Sequence, residues 1–178
     1  MTDATGLPPT RVVLLGMMGS GKSSVGIALA KRTGWPFIDN DALVEQATGH
    51  TARELLATRG EEAMREAESA ALRTGLTMPP PAIVATAAGT ILEAGDRAQI
   101  KQGGFVVWLR ADAETLAARA VGAEHRPWLD RDPVGWFQAA LQERTPLYAA
   151  VADMVVDTGT ARPDAAAEAI VTRLSAGG

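Results

Sequence analysis

A glycine-rich octapeptide near the amino terminus has the residue types and spacing best suited to chemistry. Residues 16–23 have the sequence GMMGSGKS, which fits G-x-x-x-x-G-K-[ST], and they directly follow the apolar run VVLL. The glycines allow backbone N–H groups to turn toward phosphates, and the amino terminus of the following helix adds partial positive charge. A glycine-rich surface turn would explain the glycines but not the Lys22-Ser23 pair. The motif therefore predicts a P-loop that binds a nucleotide.

The predicted contacts of this motif involve both backbone and side chains. Lys22 is expected to reach the β- and γ-phosphates, and the Ser23 hydroxyl to bind Mg²⁺, a cation that prefers oxygen ligands. The predicted nucleotide-binding residues are the motif and the serine after it: Gly16, Met17, Met18, Gly19, Ser20, Gly21, Lys22, Ser23 and Ser24.

The composition is compatible with a single small enzyme domain. The chain has 178 residues, 47% of them hydrophobic, a formal net charge of -4 and no cysteine. This length allows one core, and an acidic chain without a basic run disfavours a nucleic-acid partner. The lack of cysteine excludes disulfides and thiolate chemistry. Because the sequence has no secretory signal pattern and no membrane-length apolar run, we expect a cytoplasmic protein without a membrane partner.

Strand-like apolar runs alternate with helical patterns along the chain. The predicted strands are residues 12–15, 36–38, 82–87, 105–109 and 154–156, and the predicted helices include residues 23–32, 42–73 and 112–121. This alternation predicts a β/α sandwich around a parallel sheet. Within the second helical stretch, residues 51–54 indicate a capping box and Gly60 indicates a helix end.

Two segments are expected to form walls of the binding site. In an open parallel sheet, ligands bind outside the carboxyl ends of the strands. The helical insertion at about residues 41–76 follows the second strand and is therefore expected to border the phosphoryl acceptor. The charged segment at about residues 122–132 lies between two helices and is a candidate lid.

Five sequence segments occur in an order that is far more specific than the P-loop alone. They are GMMGSGKS at residues 16–23, FIDND at 37–41, GEEAMR at 60–65, HRPWL at 125–129 and ERTPLY at 143–148. In these segments the chain resembles the shikimate kinase family. The resemblance implies a three-layer α/β/α sandwich of the P-loop kinase type, with a five-stranded parallel sheet, in one domain with insertion and lid. It also implies transfer of the ATP γ-phosphoryl group to the 3-hydroxyl of shikimate, with Mg²⁺ as cofactor.

Two aspartates at the end of the second predicted strand are candidates for the reaction. On chemistry alone, an Asp-x-Asp segment leaving a strand end can bring two carboxylates close to the P-loop metal. By the resemblance, Asp41 binds shikimate hydroxyls and accepts the departing proton, and Asp39 is linked to Mg²⁺ through water. Alternatively, either aspartate caps the following helix. For Asp39 both interpretations stay open, whereas we favour a functional role for Asp41.

Two arginines match the residues that bind the shikimate carboxylate in the family, Arg65 and Arg144. A planar guanidinium suits this task because it can bind a carboxylate through two parallel hydrogen bonds. Without the resemblance, Arg65 would be interpreted as a helix-surface ion pair with Glu61 and Glu68. Arg144 precedes a Thr-Pro pair and is expected near a helix end.

Two further arginines are expected on the nucleotide side. Arg126, in the candidate lid, matches the arginine that reaches the phosphates on lid closure, where it would stabilise the charge of the transferring group. By the resemblance, Arg119 corresponds to a residue that stacks on adenine. The predicted catalytic residues are therefore Lys22, Asp41 and Arg126.

One turn departs from the family pattern. Where the family has three consecutive glycines after its third strand, this chain has Ala87-Ala88-Gly89. Backbone N–H groups of this turn contact shikimate in the family, so Ala88 and Gly89 are predicted to bind substrate. The two methyl groups either obstruct the acceptor, force another turn where a left-handed conformation is required, or are tolerated.

Together these features predict a monomeric ATP-dependent kinase of a small hydroxy acid, with shikimate as the leading acceptor. Two alternatives stay open. In the first, the protein is a related kinase that acts on another hydroxylated acid or sugar acid. An acceptor screen distinguishes this alternative. A nucleotide-binding sensor that has lost turnover would bind ATP and acceptor without forming product.

Overall fold

The structure, a computed structural model, describes residues 6–120 and 131–177. In this part of the chain five strands form one parallel sheet in the order β2-β3-β1-β4-β5. The strands are β1 (Arg11–Leu15), β2 (Phe37–Asp39), β3 (Ala82–Ala85), β4 (Phe105–Arg110) and β5 (Met154–Asp157).

Seven α-helices and one short 3-10 helix accompany the sheet in the described residues. They are α1 (Lys22–Thr33), α2 (Asn40–Thr48), α3 (Ala52–Leu76), the 3-10 helix (Thr90–Leu92), α4 (Ala94–Gly103), α5 (Ala113–Ala120), α6 (Pro133–Val151) and α7 (Pro163–Ser175).

The central strand shows why the helices form two layers. Successive side chains of a strand point to opposite faces, so Val12 and Leu14 enter one core while Val13 and Leu15 enter the other. Helices α1 and α7 complete the first core, and α3 to α6 complete the second. Burial on both faces explains the continuous apolar run of this strand. The predicted three-layer α/β/α sandwich is confirmed.

The sequence patterns anticipated most helix and strand positions. Thr51 forms the predicted capping box with Glu54, because each side chain accepts a hydrogen bond from the other residue's backbone N–H. Gly60, with φ 87° and ψ 175°, interrupts α3 where a helix end is predicted. Helices α2 and α3 occupy the predicted insertion between β2 and β3. No helix among the described residues is both long and apolar enough to cross a membrane.

Two helical features differ from the expectation. The sequence patterns did not predict α4. Helix α6 continues through Pro146 to its end at Val151, so the expectation that Arg144 lies near a helix end is wrong. An internal proline removes one helical hydrogen bond at a cost of roughly 3 kcal/mol. Burial of Tyr148 and Val151, beyond the proline, offsets this cost because both side chains complete the second core.

Candidate active site

A cavity of about 1050 Å³ opens where β1, β2 and β3 end. Residues that follow these strands line it, together with side chains from α3, α5 and α6. Most of the predicted site residues border this one cavity, namely Met18, Gly19, Ser20, Gly21, Lys22, Ser23, Ser24, Asp39, Asp41, Arg65, Ala88, Gly89, Arg119 and Arg144. Gly16 and Met17 lie buried behind it. Arg126 and nearly all of the candidate lid lie outside the described residues.

The P-loop owes its shape to three glycines. Gly16, Gly19 and Gly21 have φ values of 148°, 78° and 90°, which side chains of L-residues rarely permit. A Cβ atom on Gly16 would also lie 2.5 Å from the Leu109 carbonyl oxygen. The first turn of α1 contains no acidic residue of its own, so the partial positive charge of the helix terminus is not reduced from within the helix. This segment is therefore suited to bind an anion.

Lys22 points back across the P-loop. Its Nζ donates hydrogen bonds to the carbonyl oxygens of Gly16, at 2.9 Å, and Met17, at 3.0 Å. Burial lowers the pKa of Lys22 to about 8, although the nearby carboxylates of Asp41, Asp39 and Glu68 act in the opposite direction. A bound phosphate group would favour the charged ammonium, since opposite charges attract strongly where water is excluded.

Asp39 has two partners. It ends β2, and its Oδ1 accepts a hydrogen bond from the Asp41 N–H at 3.2 Å, which caps α2. Its Oδ2 accepts a hydrogen bond from the Ser23 hydroxyl at 2.5 Å. The helix-cap interpretation of Asp39 is thus confirmed, and the same carboxylate contacts the P-loop serine, which is compatible with the proposed link to Mg²⁺. Asp41 lies in the first turn of α2 and lines the cavity.

The chemistry of this pair fits a hard cation. Ser23 and Asp39 offer two adjacent oxygen atoms next to the phosphate-binding loop. Within residues 6–120 and 131–177, no group of three or more His, Asp or Glu side chains could hold a metal ion by itself. Magnesium commonly takes only one or two protein oxygens and completes its coordination with nucleotide phosphates and water. The pair therefore fits Mg²⁺ that arrives with the nucleotide.

Arg65 also lines the cavity, and it forms ion pairs with two glutamates of its own helix. Nη1 of Arg65 donates to Glu68 Oε2 at 2.9 Å, and Nη2 donates to Glu61 Oε1 at 3.3 Å. Burial raises the pKa of Glu68, and Arg65 acts in the opposite direction. A Cβ atom on Gly89 would overlap with Arg65 Nη1, so a side chain at that position would displace this guanidinium. Arg65 therefore forms the ion pairs that helix spacing predicts and also borders the cavity.

Arg144 is buried and incompletely satisfied. Only 8% of the residue is exposed, and its Nη1 donates to the Ala88 carbonyl oxygen at 3.4 Å. Among the described residues its Nε has no hydrogen-bond partner, and the Glu143 carboxylate lies 4.0 Å away. A buried donor without an acceptor is unfavourable by about 1 to 3 kcal/mol. An anionic ligand in the cavity could supply the missing acceptor.

The departure from the family pattern does not strain the backbone. Neither Ala87 nor Ala88 has a positive φ, and Gly89 has φ -86°. Alanine adopts such conformations readily. The alanines therefore carry no left-handed strain, whether or not the turn differs from the glycine turn of the family. Obstruction of the acceptor and tolerance of the methyl groups both stay open, because Ala87 and Ala88 line the cavity.

Arg119 lies beside the P-loop. Its Nη1 donates to the Gly19 carbonyl oxygen at 3.1 Å, and its Nη2 donates to the Thr158 carbonyl oxygen at 2.6 Å. The Thr158 hydroxyl in turn donates to the Ser20 carbonyl oxygen at 2.8 Å. These contacts join the P-loop to the segment after β5.

Sequence reasoning missed two residues of this framework, Thr158 and Tyr148. The Tyr148 hydroxyl donates to the Ala88 carbonyl oxygen at 3.3 Å. Its position four residues after Arg144 was a usable signal, since such residues share one face of a helix. No sequence signal marks Thr158, because its contact depends on the pairing of β4 with β5.

Comparison with known proteins agrees with this geometry. The family model for shikimate kinase matches residues 18–175. The chain is 41% identical over 155 residues to a shikimate kinase from Paramagnetospirillum magneticum, covering 86% of this chain and 78% of that protein. It is 40% identical over 173 residues to one from Caulobacter vibrioides, covering 97% and 86%.

A solved structure shows the same similarity in three dimensions. Shikimate kinase from Acinetobacter baumannii, in complex with shikimate, superposes with a TM-score of 0.89 at 30% identity. The match covers 95% of this chain and 94% of that one. The chain belongs to the shikimate kinase family.

Proposed function

We propose that this protein transfers the γ-phosphoryl group of ATP to the 3-hydroxyl of shikimate, giving shikimate 3-phosphate and ADP. The observation that best supports this proposal is that one cavity joins a P-loop to two arginines. A kinase of an acidic acceptor needs both features at a distance that one small molecule can span. The family membership agrees with this arrangement.

On the nucleotide side, we assign phosphate binding to the P-loop backbone and to Lys22. Ser23 is assigned as a ligand of Mg²⁺, and Asp39 as a partner of the ion through water. When bound, Mg²⁺ would neutralise charge on the phosphate oxygens. We assign adenine contact to Arg119, and charge stabilisation at the transferring phosphoryl group to Arg126.

On the acceptor side, we assign binding of the shikimate carboxylate to Arg65 and Arg144. The unsatisfied Nε of Arg144 supports this assignment, because a carboxylate would provide its acceptor. Asp41 would take the proton of the 3-hydroxyl as the bond from that oxygen to phosphorus forms and the bond from phosphorus to ADP breaks. Ala88 and Gly89 would border the acceptor ring.

We further propose one domain with an acceptor-binding insertion at about residues 41–76 and a lid at about residues 122–132. The protein would act as a cytoplasmic monomer, with no nucleic-acid or membrane partner. Size-exclusion chromatography with light scattering tests the monomer.

A coupled assay of ADP release tests the proposed reaction. ADP release under ATP and Mg²⁺ should depend on shikimate, and mass spectrometry should detect one added phosphate on the acceptor. Lys22→Ala serves as the matched control for contaminating kinases, because it should remove the signal. A faster release of ADP with another hydroxylated acid or sugar acid than with shikimate would identify that compound as the acceptor. Binding of ATP and shikimate without product would identify a sensor instead.

A further inference from the structure

Three segments of the active site meet at one carbonyl oxygen. The Ala88 oxygen accepts hydrogen bonds from the Tyr148 hydroxyl, at 3.3 Å, and from Arg144 Nη1, at 3.4 Å. The same two donor atoms lie 3.7 Å and 3.8 Å from the sulfur of Met17. The two donor atoms of helix α6 therefore join the turn after β3 to the P-loop.

The position of this oxygen fixes the direction of a neighbouring donor. The peptide unit is planar and trans, so the Ala88 C=O and the Gly89 N–H point in opposite directions. Within the described part of the chain, the Gly89 N–H has no hydrogen-bond acceptor. Gly89 also packs against the Arg65 guanidinium, where a Cβ atom would overlap with Nη1. A donor without a partner thus lies beside one of the proposed carboxylate-binding arginines.

Tyr148 is well suited to hold the oxygen in place. The residue is 1% exposed, and its ring stacks on Trp108 with centroids 5.5 Å apart and an interplanar angle of 21°. Burial raises the pKa of Tyr148 to about 12, so the hydroxyl keeps its proton and remains a donor at neutral pH. Tyr148 does not line the cavity. It can act on a ligand only through the residues that it holds.

We infer that Tyr148 is a positioning residue for the acceptor, because its hydroxyl holds the Ala88 carbonyl and thereby directs the Gly89 N–H toward shikimate. This inference rests on the proposed function. Arg144 shares the same carbonyl oxygen, and its guanidinium must also bind the acceptor carboxylate. Tyr148 allows Arg144 to turn toward the carboxylate without leaving the Ala88 oxygen unpaired. Without the hydroxyl, Arg144 Nη1 would be the remaining donor to the Ala88 oxygen, so this nitrogen could not turn to the carboxylate without leaving that oxygen unpaired.

Tyr148→Phe tests this role because it removes the hydroxyl and retains the ring. The KM for shikimate should rise about fivefold to tenfold, the effect of losing one hydrogen bond from a binding site, while the KM for ATP should change by less than about twofold. Calorimetric titration with shikimate alone should show the same loss of affinity. Thr33→Val is the control for loss of a buried hydroxyl away from the cavity, since the Thr33 hydroxyl donates to the Leu29 carbonyl and accepts from the Trp35 N–H.

The outcomes separate this inference from the proposed function. A shikimate KM that Tyr148→Phe leaves unchanged, in a wild type that phosphorylates shikimate, would overturn the positioning role alone. Equal increases in both KM values, or the same increase in Thr33→Val, would indicate a general loss of structure and would also overturn it. A wild type that does not phosphorylate shikimate would overturn the proposed function and, with it, this inference.

Discussion

The two ends of the cavity are built in different ways. The phosphate end is built around one continuous segment, residues 16–24, whose shape depends on backbone conformations that glycine permits. The acceptor end takes single side chains from separate elements, with Arg65 on α3 and Arg144 on α6. Its backbone contribution is the turn after β3. One end is therefore encoded locally, and the other depends on the fold to bring distant residues together.

The two ends also differ in the contacts that their binding groups already make within the protein. The shape of the P-loop is set by its glycine conformations and by the helix terminus that follows it, as expected for an electrostatically preorganised site. At the acceptor end, Arg65 is paired with Glu61 and Glu68, and Arg144 is bonded to a backbone carbonyl. A substrate carboxylate must compete with the two glutamates for Arg65, whereas Arg144 still has the unpaired Nε. We therefore expect nucleotide binding to tolerate changes at the acceptor end, where substrate choice is made.

The largest effect is expected at the phosphate end. Lys22→Ala removes the one side-chain cation of the P-loop motif, and kcat should fall by about 10²- to 10³-fold or more. The ADP-release assay with shikimate measures this loss. The variant should still fold, since Lys22 lines the cavity and its hydrogen bonds to the Gly16 and Met17 carbonyls lie within the P-loop itself. Retained turnover in a folded variant would remove the P-loop interpretation.

The next effect distinguishes the two ends. Arg144→Ala and Arg65→Ala should each lower kcat/KM for shikimate by about 2 kcal/mol, or thirtyfold, while the affinity for ATP changes little. Arg97→Ala is a control near the same turn. Its Nη1 donates to the carbonyls of Ile91 and Leu92, but Arg97 does not line the cavity. Comparable losses for ATP and shikimate would show that the two ends are not independent.

A smaller effect concerns the protonation of Lys22. Its pKa of about 8 in the free protein should rise when phosphate binds, so binding of ATP above this pH should take up a proton. Affinity for ATP should then fall as pH rises, by about tenfold per unit once pH exceeds the free pKa. Calorimetry in buffers of different ionisation enthalpy measures the proton uptake. Lys22→Met, which cannot titrate, should show none between about pH 8 and 9.5.

The same contrast explains what the sequence could predict. The P-loop and the capping box at Thr51 depend on neighbours within a few residues, so motif and spacing sufficed. The extent of α6 was mispredicted because proline normally ends a helix, whereas burial of Tyr148 maintains it. The shared contact of Arg144 and Tyr148 with Ala88 joins residues 56 and 60 positions apart, which no local pattern encodes. The resemblance supplied Arg144 as a candidate, and the fold showed how it is held.

The smallest effect is expected where this chain departs from its family. Because Ala87 and Ala88 adopt conformations with negative φ, glycine at both positions gains nothing in the folded state and adds freedom to the unfolded chain. The double substitution Ala87→Gly with Ala88→Gly should therefore lower the free energy of unfolding by about 1 to 2 kcal/mol, measured by urea denaturation.

Kinetics of this double variant decide between obstruction of the acceptor by the methyl groups and tolerance of them. If the methyl groups are tolerated, as the backbone geometry favours, kcat and the KM for shikimate should stay within about twofold of the wild type. A marked fall in the KM for shikimate, with ATP binding unchanged, would show instead that the methyl groups obstruct the acceptor. Since the P-loop lies outside the substitution, ATP affinity serves as the internal control. A change in the KM for shikimate alone would support the view that the acceptor end of the cavity can vary without affecting the phosphate end.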